Sequence, residues 1–201
     1  MKTALRSVSA PLSGLSMLKL RAYWLLSKPR VTILVWLTTV AGLVLGGVGQ
    51  TLQGGLIAAT LIGSGLVIAS ANALKQAIEW RRDAQMLRTA LRPIPSGAIM
   101  PLEGGLVGAL WGILGVLTLA LWVNTAVAWL GAISILLYAC VYTPLKPQTH
   151  FNTAIGAIPG AIPPMAGWVA AQGGFSLEAW LLFALQFLWQ FPHFWAIAWL
   201  Y

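Results

Sequence analysis

The chain has 201 residues, of which 12 are Lys or Arg and only 4 are Asp or Glu. At 8% charged and 59% hydrophobic, against about 25% charged in an ordinary soluble domain, it has too little charge for a soluble shell and too much apolar matter for a disordered chain. The single cysteine, Cys140, excludes a disulfide scaffold, which leaves an all-α integral membrane protein in a lipid bilayer.

Residues 1–30 read as a cytoplasmic N-terminal tail. They hold Lys2, Arg6, Lys19, Arg21, Lys28 and Arg30 and no acid. That composition fits a short bacterial tail, and equally a mitochondrial transit peptide. Residues 31–201 read as one transmembrane domain. A membrane-crossing helix needs about 20 apolar residues, and six segments qualify: 31–49, 54–74, 104–122, 125–143, 153–171 and 177–201. The fifth carries Pro159, Pro163 and Pro164, so a kink or partial unwinding is expected there. Irregular backbone at that depth is tolerated only where it packs in protein or lines a cavity. Trp122, Trp129 and Trp199 lie near segment ends and fit an interfacial belt. Trp168, Trp189 and Trp195 are candidates for a cavity wall.

The connections alternate in character. Residues 50–53, 123–124 and 172–176 hold no charge. Residues 75–103 hold Lys75, Arg81, Arg82, Arg88 and Arg92, and residues 144–152 hold Lys146. With the tail, every Lys and Arg falls on one side, which the positive-inside rule makes the cytoplasmic one. A bacterial inner membrane is the expected location. The basic excess reports topology, so no nucleic-acid partner is expected.

Lys75, Glu79 and Asp83 recur every four residues. Four residues advance a helix by about 40° beyond a full turn, so the three share a face if the second span continues to Asp83. Two carboxylates at this spacing suit Mg²⁺, which completes its shell with phosphate oxygens and water. Lys28, Arg30, Arg88, Arg92 and Lys146 would ring the same side, and metal plus guanidinium groups would neutralise a leaving diphosphate. The two acids would also serve as simple ion-pair partners of Lys75 and Arg82 on a solvated helix end.

Several ordered stretches carry a resemblance. They are Ser27-Lys28-Pro29-Arg30; Ser70-Ala71-Asn72-Ala73-Leu74 with Glu79, Asp83-Ala84, Met86, Arg88-Thr89 and Arg92-Pro93-Ile94-Pro95-Ser96-Gly97; Tyr142-Thr143-Pro144-Leu145-Lys146 with Asn152-Thr153, Pro159-Gly160, Pro163-Pro164 and Gly167-Trp168; and Trp189-Gln190, Pro192-His193-Phe194 and Ala198-Trp199-Leu200-Tyr201. Over residues 24–201 the chain resembles the intramembrane aromatic prenyltransferases, and within them the heme-farnesylating branch. The resemblance implies the first two-thirds of a nine-helix bundle around a cavity open to lipid. It implies Mg²⁺ held by Glu79 and Asp83 as catalytic metal ligands. It implies farnesyl diphosphate bound by Lys28, Arg88, Arg92 and Lys146, with Asn152 orienting either the backbone of residues 144–152 or the phosphate, and heme B met by His193. Farnesyl transfer to a heme B vinyl group would give heme O, with a downstream heme A synthase as the suggested partner. His150 matches nothing in the pattern.

Two departures stand out. The first acidic motif of that family begins with Asn where this chain has Lys75, and an acid two before Asp83 is replaced by Arg81. A lysine there would pair with Glu79 and compete with Mg²⁺. The family's second acidic motif would begin where the given sequence stops, at Tyr201. The expectation is therefore little or no transferase activity from this chain alone. Sibling prenyltransferases with a quinone-type acceptor, and an inactive membrane paralogue, are the alternatives. A transporter is disfavoured, because the first, third and fourth apolar segments contain no ionisable residue of the kind transport pathways use.

Overall fold

The computed structural model describes residues 12–146 and 152–200. They form α1 (Leu12–Leu26), α2 (Pro29–Gly46), α3 (Gly54–Asp83), α4 (Pro101–Trp122), α5 (Thr125–Ile135), a π-helical segment (Leu136–Tyr142), α6 (Thr143–Leu145), α7 (Asn152–Gln172) and α8 (Leu177–Leu200). Among the described residues, five stretches are long and apolar enough to cross a membrane: α2, α3, α4, residues Thr125–Leu145, and α7. The sixth expected span, α8, has the length at 24 residues. His150 and Tyr201 lie outside the described residues.

The helices expose Leu34, Leu37, Ile62, Leu110, Ile113, Trp129 and Leu185. In water such faces would be an aggregation hazard, but in a bilayer they meet lipid. What the interior buries is small or shape-matched. A core of Leu43, Val67, Leu119, Val127, Ile162, Met165 and Val169 joins α2, α3, α4, α5 and α7. Close approach replaces the hydrophobic effect as the packing force here. A Cβ on Gly42 of α2 would sit 1.9 Å from the Pro164 carbonyl oxygen, and one on Gly167 of α7 would sit 2.0 Å from that of Thr39. The backbones of α2 and α7 therefore touch directly.

α7 is the central helix: 61% of its apolar window is buried, against 22–33% for the other four spans. This corrects the expectation of unwinding, since α7 runs unbroken through Pro159, Pro163 and Pro164. Each proline lacks an N–H, which removes the usual helical donor from the carbonyls of Ile155, Pro159 and Gly160. Packing on both sides keeps the helix continuous. The expected cavity is nevertheless beside it: Pro159, Gly160 and Pro163 line an apolar space of about 110 Å³ with Val35, Ala71 and Tyr138.

The backbone irregularity falls instead in the fourth span, as the π-helical segment. Such widened turns cluster at functional sites. α1 is a second departure, a helix within the segment read as a tail. Its Ala22 and Leu26 pack on Ala73 of α3 and on Ile94 and Ile99, which pins the connection between α3 and α4 against the bundle. The other end of the molecule is uncharged at its connections, where Gln50 donates to Gln172 at 3.2 Å.

Candidate diphosphate pocket

α3 continues as one 30-residue helix to Asp83, which carries its last turns beyond the apolar core. Lys75, Glu79 and Asp83 share a face there and line a cavity of about 430 Å³. The remaining walls are Lys28, Arg82, Met86, Arg88, Thr89, Arg92 and Lys146. Six cations and two carboxylates thus surround one space. Of the predicted site residues, Lys28, Glu79, Asp83, Arg88, Arg92 and Lys146 come together here.

Local structure explains how each cation arrives. Lys28 sits at the break between α1 and α2 with φ 50°, the one described non-glycine residue in the left-handed region. That conformation is strained for lysine and is held from α3. Gln76 Nε2 donates to the Leu26 carbonyl at 2.8 Å, and Asn72 Nδ2 to the Ser27 carbonyl at 3.4 Å. Pro29 then starts α2 with φ already suited to a helix. Burial, and then the nearby Arg92 and Lys75 charges, push the Lys28 ammonium down to about 8.

Arg92 is delivered by a folded connection. Thr89 Oγ1 donates to the Asp83 carbonyl at 2.7 Å, and Arg92 Nη1 lies 2.6 Å from Asp83 Oδ2. Ile94 and Ile99 anchor the rest of the loop in the α1–α3 cluster. Asp83 therefore pairs with Arg92, not with Arg82.

Lys146 follows α6, and burial lowers its pKa, with the Lys75 charge adding to the effect. Asn152 does not line the cavity; its Nδ2 donates to the Lys146 carbonyl at 3.1 Å and so holds that backbone. His193 is apart from the cavity. It is exposed on α8 and stacks on Trp189 at 4.7 Å between ring centroids. Nor do Trp168, Trp189 and Trp195 line the described cavities. Trp168 Nε1 donates to Ser176 Oγ at 2.9 Å, and Trp189 and Trp195 are exposed.

The Lys75–Glu79 pair expected from the sequence is present, with Nζ 3.9 Å from Oε2. Lys75 Nζ also lies 5.0 Å from the ring centroids of both Tyr138 and Tyr142, which stack on each other. The sequence alone assigned neither tyrosine to the site, although Tyr142 opens the Tyr142–Lys146 stretch. Both belong to the π-helical segment, so their common direction depends on a widened turn that helical periodicity does not reveal. Tyr138 also borders the apolar 110 Å³ space, so one ring touches the charged site and the lipid-like one.

The pocket thus gathers six cations and two carboxylates at one end of a membrane bundle, with an apolar space beside it. A matching family description covers residues 34–201, that of the UbiA prenyltransferase family. The chain belongs to this family.

Relatives called protoheme IX farnesyltransferase are 44% identical in Christiangramia forsetii over 87% of this chain, and 43% in Cytophaga hutchinsonii over 89%. One from Solibacter usitatus is 40% identical over 90%. The chain spans 57%, 62% and 65% of the length of the Christiangramia, Cytophaga and Solibacter proteins respectively. A solved structure, described as giving "structural and mechanistic insights into the biosynthesis of Digeranylgeranylglyceryl phosphate synthase in membranes", shares the fold. The TM-score is 0.73 at 20% identity, over 85% of this chain and 59% of that one. Family and helices together make this a multi-pass integral membrane protein.

Proposed function

We propose that this protein takes part in farnesyl transfer from farnesyl diphosphate to a vinyl group of heme B, giving heme O. The observation that carries the reading is the cluster of Lys28, Lys75, Arg82, Arg88, Arg92 and Lys146 around one cavity. The relatives' shared name supports the choice of farnesyl donor and heme acceptor. The cations disperse the charge that builds on the departing diphosphate, in a setting where fixed donors act more strongly than in water. The apolar space past Tyr138 suits the first isoprene units of the tail. His193, exposed beside Trp189, is the residue proposed to meet heme. A downstream heme A synthase would take the product. The positive-inside rule assigns the cationic end to the cytoplasmic side, with a bacterial inner membrane as the expected location.

Mg²⁺, expected of the family, would fall to Glu79 and Asp83. The donor set does not fit it. Glu79 is paired with Lys75, and Asp83 with Arg92. Glu79 and Asp83 here orient cations, and turnover is expected to be low.

The test supplies farnesyl diphosphate and heme B to membranes containing the protein and resolves the extracted hemes by mass. A small yield of heme O supports the reading. A farnesylated quinone-type phenol would favour a sibling enzyme, and intact farnesyl diphosphate binding without either product would favour an inactive paralogue.

A further inference from the structure

Lys75 is the most enclosed cation of the pocket floor. Its side chain is 11% exposed, against 25% for Arg92. It is held on three sides, by the Glu79 carboxylate and by the faces of Tyr138 and Tyr142. A desolvated ammonium over two aromatic faces is a fixed charge, not a wandering surface lysine. It also lies on the same helix face as both carboxylates, one turn before Glu79.

The arrangement has a consequence for ions. A divalent cation bridging Glu79 to a bound anion would have to displace the Lys75 ammonium, and at Asp83 it would have to displace Arg92. It would then meet Lys28, Arg82, Arg88 and Lys146 around the same space. An anion entering the pocket meets no such opposition, because both carboxylates are already neutralised and the other four cations face no carboxylate ion pair among the described residues.

We propose that this pocket binds the diphosphate of its substrate without a divalent metal, the Lys75 ammonium taking the place at Glu79 that a metal ion would hold. The proposal rests on the pocket being a prenyl diphosphate site, and the experiment separates the two. The full chain in lipid nanodiscs is titrated with farnesyl diphosphate, once in EDTA and once in excess Mg²⁺. The wild-type protein should bind equally in both, within about threefold. Lys75→Asn should bind at least about tenfold more weakly than wild type in EDTA and recover in Mg²⁺, while Lys75→Arg should stay metal-independent. Wild-type binding that appears only with Mg²⁺ overturns the metal-free proposal and leaves the diphosphate site standing. No binding in either condition overturns both. The wild-type comparison needs no variant, so misfolding of Lys75→Asn cannot rescue the idea.

Discussion

Arg92 reaches back nine residues to place Nη1 2.6 Å from Oδ2 of Asp83, a carboxylate whose side chain is only 3% exposed. This ion pair closes the connection between α3 and α4 over the end of α3, and it turns an acid into the support of a cavity-lining cation. Asp83→Ala would leave Arg92 unsupported and partly buried. Removing one partner of such a charged hydrogen bond costs about 2 kcal/mol. Thermal unfolding in detergent should show the loss, with farnesyl diphosphate affinity falling as the loop loosens. Unchanged stability would mean the pair is incidental.

The Lys28 ammonium, held near 8, sets a pH dependence. The free pocket keeps this charge below about 8 and loses it above, whereas a bound anion favours the protonated form. Binding should therefore take up a proton above pH 8, and affinity should decline as pH rises from about 8 toward the ordinary lysine range. Lys28→Arg should flatten that profile, because guanidinium keeps its charge. Calorimetry in buffers of different ionisation enthalpy measures the uptake.

Gln76 is buried, bonds to the Leu26 carbonyl and does not line the cavity. Gln76→Leu should weaken farnesyl diphosphate binding by about tenfold, through Lys28 losing its support and the Leu26 carbonyl losing its donor. The Lys28 pH profile should fade in the same variant. A purely structural role would lower stability and leave that profile intact.

Gly42 and Gly167 place the α2 and α7 backbones in contact. Gly42→Leu has no flexible neighbour to displace, because its Cβ meets a main-chain carbonyl. Overpacking of this kind costs about 3 kcal/mol or more, and the variant should unfold at lower temperature or fail to accumulate in membranes. Gly54→Leu, at a position with open space around it, is the control and should be tolerated.

Much of the site was legible from spacing and charge. Lys75, Glu79 and Asp83 recur every four residues, and that periodicity survives in any helix long enough to hold them. The cations collect because uncharged connections alternate with basic ones, a constraint the bilayer imposes on the chain. What stayed hidden depends on tertiary contacts. Helix α1 looks like a basic tail until Ala22 and Leu26 find Ala73, Ile94 and Ile99. Asp83 chooses Arg92 over its neighbour Arg82 only because Thr89 folds the connection back. The tyrosines reach Lys75 through a π-helical turn, while α7, the segment with the strongest helix-breaking residues, stays helical because its neighbours enclose it. His193 shares a sequence motif with no cavity-lining residue, and its place on α8 separates it from the charged pocket.

In the proposed reading, the cationic pocket recognises a prenyl diphosphate through the diphosphate. The most direct measurement compares equilibrium binding of farnesyl diphosphate and of farnesol to the nanodisc-embedded chain, with Arg88→Ala beside the wild type. Strong preference for the diphosphate is expected, with a loss of about ten- to a hundredfold in Arg88→Ala for one charge-assisted contact. Farnesol binding as tightly as the diphosphate, unaffected by Arg88, would contradict it.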